Sequence, residues 1–258
     1  MGGFSFPPGI SIRDVKGCGT SGMAALDSRT GYILKFHLGD NDECARCNQE
    51  RDIYQILERS SLPRPSSLLK FHGSTSHGIL LEYAELGTVR QYLCESPQQL
   101  IPPSTLLRWA QQAAGALQFM HANEICHGDV SCTNFFLDKS LDLKVGNFTS
   151  SSNGSFVTPQ DLQDDISDYG SALYEMAMGY VPFPNLHKDE REQRLKQKSF
   201  PDLANLELKY VVLRCWDGHY TRFADVLRDI NIAHLINRRS YAPEQLNKLS
   251  KASIQHAP

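Results

Sequence analysis

In the first third of the chain, apolar and polar residues follow the short periods that are typical of β-strands. Apolar runs and alternating patterns predict five strands, over residues 11–16, 23–26, 32–36, 68–72 and 78–83. One helix interrupts the strands, because Ile53, Ile56 and Leu57 recur at helical spacing between residues 48 and 59. Glu50 lies close to the face of these apolar residues, so we expect its carboxylate to point inward and to have a partner.

In the rest of the chain, apolar residues recur at steps of three and four, which predicts helices. The predicted helices cover residues 89–94, a long segment that starts at Ser104 and reaches Met120, and residues 164–179, 187–198, 206–216 and 222–236. The small polar residues 149–154 predict a loop without packing potential. The sequence therefore predicts an α+β fold with a small β-rich lobe followed by a larger helical lobe.

The same patterns divide the chain into three parts. We expect an N-terminal lead over residues 1–10, one domain over residues 11–236 and a polar tail over residues 237–258. Within the domain, the first lobe covers residues 11–83, the polar hinge covers residues 82–87 and the second lobe covers residues 88–236.

Composition narrows the class of protein. A chain of 258 residues with 41% hydrophobic residues can bury a substantial core. The net charge of −3 gives no basic surface for nucleic acid, and no stretch approaches the roughly 20 apolar residues that span a bilayer. The seven cysteines are scattered, which is typical of reduced thiols. We therefore expect a soluble, cytoplasmic protein that neither binds nucleic acid nor spans a membrane.

A glycine cluster and a lysine are the first candidates for chemistry. Gly17, Gly19 and Gly22 lie between two predicted strands. Glycine clusters mark turns more often than phosphate sites, but a hairpin at this place favours a flap over phosphates. Lys35 interrupts an apolar strand, either as a solubility charge at a sheet edge or as a phosphate-binding ammonium that Glu50 holds in place.

The second candidate is the stretch from His127 to Asn134. It holds an acid, Asp129, and an amide, Asn134, five positions apart on a tight loop, and Asn147 follows the next β-like segment. In a phosphotransferase, such a carboxylate would face the attacking hydroxyl and two oxygen donors would face Mg²⁺.

Taken together, these motifs and their order resemble the protein-kinase catalytic domain over residues 11–236. The strongest matches are His-Gly-Asp-x-x-x-x-Asn from His127 to Asn134 and the helix start Asp165-Ile-Ser-Asp-Tyr-Gly170. Cys215-Trp216 followed by Arg222 resembles the last helices of the tyrosine-kinase-like branch. The second half is also similar to the divergent kinase-like proteins of filamentous fungi.

The resemblance implies a nucleotide site and a catalytic site. It implies that Gly17, Gly19 and Gly22 cover the ATP phosphates, and that Lys35 holds the phosphates and is itself held by Glu50. Leu81 would lie behind the adenine, Glu82 and Ala84 would be hinge residues, and Phe136 is a further nucleotide-binding residue. Asp129 would accept the proton of the attacking hydroxyl, and Asn134 and Asn147 would bind Mg²⁺ or Mn²⁺.

The chain also departs from the family pattern. Asn147-Phe148-Thr149 stands where kinases have Asp-Phe-Gly, so one negative charge beside the metal is missing and we expect weakened metal binding. Gly128 replaces the arginine that reads a phosphorylated activation loop, and Ile33 replaces a small alanine in the adenine pocket. Only 18 positions separate Asn147 from Asp165, roughly half the usual number, and residues 158–160 are a poor substitute for Ala-Pro-Glu.

Three functions therefore remain open at the level of sequence. The first is a weakened protein kinase that transfers the γ-phosphate of ATP to a protein hydroxyl. The second is a pseudokinase that acts as a nucleotide-sensing or scaffold module. The third is a small-molecule phosphotransferase similar to aminoglycoside or choline kinases, which share the motif from His127 to Asn134 and need no shelf for a peptide. The expected partners are ATP and a protein substrate or protein partner.

Overall fold

The computed structural model describes residues 6–19, 21–39, 41–95, 101–203 and 206–233. The predicted tail over residues 237–258, the first half of the predicted lead and the last three residues of the predicted domain lie outside the described residues. Within the described ranges, no helix combines the length and the apolar character needed to cross a bilayer.

The first lobe is an antiparallel sheet of five strands with one helix, as the apolar pattern predicts. The strands are β1 (Val15–Gly19), β2 (Gly22–Asp27), β3 (Tyr32–Phe36), β4 (Phe71–Ser74) and β5 (Ile79–Leu81), in the order β1-β2-β3-β5-β4, and the helix is α1 (Asn41–Glu58). Strand β3 pairs with β2 on one side and with β5 on the other, so Lys35 lies in the middle of the sheet and not at its edge. The edge-strand explanation for Lys35 is therefore wrong.

Two of the strand predictions begin too early. The strand predicted over residues 11–16 starts at Val15, because Asp14 accepts hydrogen bonds from the backbone and side chain of Ser11 at 2.8 and 2.7 Å and closes a 3-10 turn. The strand predicted over residues 68–72 starts at Phe71. Leu68 and Leu69 are apolar for another reason: both are buried where the lobes meet, and the backbone N–H of Leu69 donates to Val145 O at 2.9 Å.

The second lobe is mainly helical, which confirms the predicted two-lobed α+β fold. Its helices are α2 (Val89–Glu95), α3 (Pro103–Ala122), α4 (Pro159–Met178), α5 (Lys188–Lys196), α6 (Lys209–Trp216) and α7 (residues 223–233). Two small antiparallel sheets of two strands each pair β7 (Phe135–Leu137) with β8 (Leu143–Val145) and β6 (Ile125–Cys126) with β9 (Ser152–Asn153). Helix α4 is the buried centre, where the Tyr169 hydroxyl donates to Ala110 O of α3 at 2.7 Å.

The chain between Asn147 and α4 differs most from expectation. The prediction of a loop without packing potential over residues 149–154 is wrong, because β9 pairs with β6 and Ser151 is fully buried, where its hydroxyl donates to His127 O at 3.0 Å. Helix α4 begins at Pro159, five residues before the predicted start. Thr158 caps it by accepting from the Asp161 N–H, while the Asp161 carboxylate accepts from the Thr158 N–H at 2.8 Å.

Four aromatic rings form a column that joins the two lobes. Tyr54 of α1 stacks on Phe71 of β4 with 5.4 Å between ring centroids and contacts Phe148 at 4.7 Å. Phe148 in turn meets the edge of His127 at 5.7 Å. Because each ring is in contact with the next, the column holds α1 against the loop that carries Asp129.

Candidate nucleotide and catalytic site

A cavity of about 460 Å³ lies in the cleft between the lobes, a size suited to a nucleotide. All nine residues predicted to bind the nucleotide line it: Gly17, Gly19, Gly22, Lys35, Glu50, Leu81, Glu82, Ala84 and Phe136. Asn147 lines it as well, and so does Ile33, as its predicted place in the adenine pocket requires. The cavity also has lining residues that the sequence did not single out, among them Arg90 and Thr133.

The three glycines of the β1–β2 turn have different roles. Gly22 has a φ of +110°, and a Cβ there would lie 2.2 Å from Phe36 O, so only glycine permits the close approach of β2 to β3. Gly17 and Gly19 are exposed and have no such neighbour within 4 Å. They leave the space over the cleft open to a ligand.

Lys35 and Glu50 form an ion pair, with 2.5 Å between Nζ and Oε2. The Glu50 side chain is fully buried on the inner face of α1, where its other oxygen accepts from the Phe148 N–H at 3.2 Å. The inward carboxylate predicted from helical spacing therefore has both a cation and a backbone donor. This arrangement fixes the ammonium of Lys35 at the back of the cleft.

From Lys35 a chain of hydrogen bonds continues through two amides to Asp129. Lys35 Nζ donates to Asn147 Oδ1 at 2.7 Å, and Asn147 Nδ2 donates to Asn134 Oδ1 at 2.7 Å. Asn134 Nδ2 then donates to Asp129 Oδ2 at 2.8 Å and to Asp129 O at 2.7 Å. We call the series Glu50–Lys35–Asn147–Asn134–Asp129 the amide relay.

The orientation of both amides in the relay follows from the chemistry of its ends. An ammonium only donates, so Asn147 must turn its oxygen toward Lys35 and its NH₂ toward Asn134. An ionised carboxylate only accepts, so Asn134 must turn its NH₂ toward Asp129 and its oxygen toward Asn147. Every donor in the relay therefore faces an acceptor.

The relay does not fit a magnesium ion held as kinases hold it. Asn147 Oδ1 accepts from Lys35 and also from the Thr149 hydroxyl at 3.3 Å, which uses both of its lone pairs. Asn134 Oδ1 already accepts from Asn147. In the described part of the chain, no group of three or more His, Cys, Asp or Glu side chains could hold a metal ion. The two predicted metal ligands thus bind each other.

The backbone conformation at Asn147 suits an asparagine. Its φ is +62°, in the left-handed region, which asparagine tolerates better than most residues. This conformation turns the side chain back from β8 toward Asn134. Sequence reasoning placed Asn147 at the metal, but the spacing of residues gives no signal of its bond to Asn134.

Asp165 of α4 holds the loop that carries Asp129. It accepts from the backbone N–H groups of His127 at 2.7 Å and Gly128 at 2.9 Å, and it pairs with His121 Nε2 at 2.9 Å. Burial alone would raise the pKa of Asp165, but these donors hold it below its usual value. Burial lowers the pKa of His127, whose ring is completely enclosed.

Gly128 has a structural role that sequence reasoning missed. Its φ is +74°, and a Cβ at this position would lie 2.4 Å from Ser150 O. The shortened segment after Asn147 therefore passes directly over Gly128. This contact explains why position 128 has no arginine, because the chain at Ser150 leaves no room for a side chain there.

Comparison with known proteins finds similarity to protein kinases. A family model described as protein tyrosine and serine/threonine kinase matches residues 41–161, which contain four of the five relay residues. The chain is 31% identical over 118 residues to the serine/threonine-protein kinase Nek3 of Oryza sativa subsp. japonica, and this match covers 38% of the chain and 20% of that protein.

Two relatives from Arabidopsis thaliana extend the comparison. The serine/threonine/tyrosine-protein kinase HT1 is 21% identical over 171 residues, which are 57% of the chain and 44% of that protein. A protein described as a leaf rust 10 disease-resistance locus receptor-like protein kinase-like 1.2 is 32% identical over 149 residues, which are 56% of the chain and 22% of that protein. The chain thus matches less than half the length of each of these relatives.

Proposed function

Because this chain contains a protein kinase domain, we propose that it binds ATP in the cleft and transfers the γ-phosphate to a protein hydroxyl only weakly. In this proposal, Lys35 contacts the phosphates and Asp129 faces the hydroxyl, as their family counterparts do. ATP binding needs little help from Mg²⁺. The seven free cysteines are consistent with a reducing compartment such as the cytoplasm.

The hydrogen bond between Asn147 and Asn134 is the observation that carries the proposal. This bond joins the two side-chain amides that would otherwise face a metal ion. It leaves Lys35 and Glu50 in place for a nucleotide. Removing one negative charge beside a divalent ion is worth a few kcal/mol at an effective dielectric constant of about 20. At about 1.4 kcal/mol per decade, phosphoryl transfer should be slower by about a hundredfold.

Exchange of Asn147 for aspartate tests the proposal most directly. In Asn147→Asp, the NH₂ donor becomes an oxygen that faces Asn134 Oδ1 across 2.7 Å, and the two oxygens repel unless a cation lies between them. We expect ATP to raise the melting temperature of the wild type equally with Mg²⁺ and with EDTA. In the variant, we expect the shift to require Mg²⁺ or Mn²⁺, and phosphotransfer to rise by about ten- to a hundredfold.

Two control variants make this result specific. Asn153→Asp introduces the same chemical change at an exposed position of the same segment and should behave as the wild type. Lys35→Ala should abolish the effect of ATP, and a surviving effect would contradict the placement of the nucleotide. Efficient Mg²⁺-dependent phosphorylation by the wild type would overturn the weakened transfer.

The second candidate function is a nucleotide-sensing or scaffold module. The aromatic column and the amide relay join the two lobes through contacts of the chain itself, which favours this role. The same assays separate the two functions. If ATP raises the melting temperature but neither the wild type nor Asn147→Asp transfers phosphate to protein, sensing is favoured over catalysis.

A further inference from the structure

A second cavity, of about 320 Å³, adjoins the nucleotide cleft. The two cavities share Arg90 and Thr133 as lining residues, while Asp129 lines the second cavity. The walls of the second cavity come from the loop that carries Asp129, from α4 and from α5. It therefore lies where a molecule could reach Asp129 from the side opposite the nucleotide.

This cavity is open because the chain between Asn147 and α4 is short. Residues 147–158 contribute none of its lining. This segment is instead held over the Asp129 loop by the pairing of β9 with β6, and α4 begins at once with Pro159. No part of it remains to form a shelf for an extended peptide. Val181, Pro182 and Leu195 add an apolar part to the lining of the cavity.

Most charges around the pocket are already paired. Arg90 makes a two-pronged ion pair with Glu175, at 2.6 and 2.7 Å. Lys188 and Glu192 lie 3.8 Å apart on α5, and Arg191 donates to Leu186 O at 3.0 Å.

Asp168 of α4 makes no such contact: among the described residues, its carboxylate has neither a hydrogen bond nor an ion pair. Burial, with the nearby charges of Asp165 and Glu192, raises the pKa of Asp168 to about 7. Asp168 is only partly buried, and a carboxylate that is partly removed from water without a partner is destabilising unless a cation joins it. The pocket thus has, at Asp168, a carboxylate without a bonded cation, although Lys188 lies nearby, and at Asp129 an acceptor for a hydroxyl group.

We propose that this pocket binds a compact polyhydroxy amine, with its ammonium group against Asp168 and a hydroxyl group toward Asp129. A volume of about 320 Å³ suits a small molecule of this kind. A metal ion is a poorer occupant, because no cluster of three ligating side chains exists within the described ranges. Binding itself does not depend on the proposed phosphotransfer; only a role for the bound molecule as phosphate acceptor rests on it.

A matched pair of probes tests the proposal. D-glucamine and D-sorbitol differ at one end, where glucamine carries a protonated amine and sorbitol a hydroxyl. At pH 8, calorimetric titration of the full chain without nucleotide should show that glucamine binds at least tenfold more tightly than sorbitol. One charge-assisted hydrogen bond accounts for a difference of this size. Equal affinities, or no binding of either probe, would overturn the proposal.

Two variants on the same helix locate the binding site. Asp168→Asn should reduce the affinity for glucamine about tenfold, to that for sorbitol, and should not lower the melting temperature. Asp164→Asn, one turn earlier on the exposed side of α4, should leave the affinity unchanged. An unchanged affinity in Asp168→Asn would place the amine elsewhere and contradict the proposal.

A titration with a short peptide distinguishes the proposed compact ligand from an extended peptide. The peptide Ala-Arg-Ala-Ser-Ala offers a cation and a hydroxyl on an extended chain. If it binds through Asp168 and glucamine does not, the compact ligand is wrong. These titrations contain no ATP, so their outcome is independent of the nucleotide assays. The proposed ligand and the proposed function can therefore fail separately.

Discussion

At the scale of single residues, Asn147 is suited to its site because an amide both donates and accepts. Its oxygen meets the ammonium of Lys35 and its NH₂ meets Asn134 Oδ1. Aspartate could satisfy the first contact but not the second. Asn147 therefore does more than omit a negative charge: it also forms a direct hydrogen bond to Asn134.

Gly128→Ala gives a prediction at this scale. The change combines left-handed strain with a Cβ 2.4 Å from Ser150 O, so we expect the free energy of unfolding to fall by about 3 kcal/mol. The matched control is Gly179→Ala, where φ is +78° but no atom lies within 4 Å, and the loss should be about 1 kcal/mol. Thermal unfolding measures both. Equal losses would contradict the close contact with Ser150.

The pH dependence of Asp168→Asn gives a second prediction. The folded state raises the pKa of Asp168 to about 7, above the ordinary value of 3.8, so the ionised carboxylate destabilises the fold. This destabilisation is absent below about pH 4, grows as the pH rises and is complete above about pH 7. The variant should therefore match the wild type in stability near pH 4 and exceed it by about 2 kcal/mol at pH 8.

Unfolding by urea at a series of pH values checks this prediction. The difference between variant and wild type should follow the titration of one group, and Asp164→Asn should show no such trend. A constant difference across the range would mean that Asp168 does not have the raised pKa.

At the scale of elements, the segment between Asn147 and α4 is the part of the chain whose structure differs most from the prediction. Residues 158–160 are a poor substitute for Ala-Pro-Glu, but Thr158, Pro159 and Asp161 form a common helix start. The helical spacing of apolar residues in α4 begins only where the helix becomes buried. Periodicity therefore predicts a start five residues after the true one. Pairing of β9 with β6 is invisible to periodicity, because two-residue strands are too short to show one.

Thr158→Ala tests the start of α4. Loss of the cap should lower the free energy of unfolding by about 1 kcal/mol, which for a chain of this size lowers the melting temperature by about 2–4 °C. Thr158→Ser keeps the hydroxyl and should retain most of the stability. Donors from Thr158 lower the pKa of Asp161, so this contribution is present at neutral pH and is lost as the pH falls through that pKa. Equal losses in both variants would mean that the cap contributes little.

At the scale of the whole molecule, the amide relay and the aromatic column connect the two lobes side by side. Their polar and apolar contacts both reach from α1 to the loop of Asp129. The sequence predicted the pairing of Lys35 with Glu50, because each breaks the pattern of its own element. It did not predict the bond between Asn134 and Asn147, since two polar loop residues carry no periodic signal and their contact depends on the backbone conformation of both.

Variants of the ion pair test how strongly the lobes are coupled. Lys35→Met leaves the fully buried Glu50 without its cation and should lower the free energy of unfolding by about 3–5 kcal/mol. Glu50→Gln should have a smaller effect, because Lys35 keeps Asn147 as an acceptor. The double variant should be more stable than Lys35→Met alone. Additive losses, measured by urea unfolding, would contradict the coupling.

The contact between Gly128 and Ser150 also sets the order in which mutations could introduce an arginine at position 128 and a longer segment above it. Arginine at position 128 cannot be tolerated while the segment above it is short, since even a Cβ meets the Ser150 carbonyl. An insertion that lengthens the segment must therefore come before the arginine. A stepwise mutational path, whether in evolution or in the laboratory, is open in one direction only: the loop first, and the side chain afterwards.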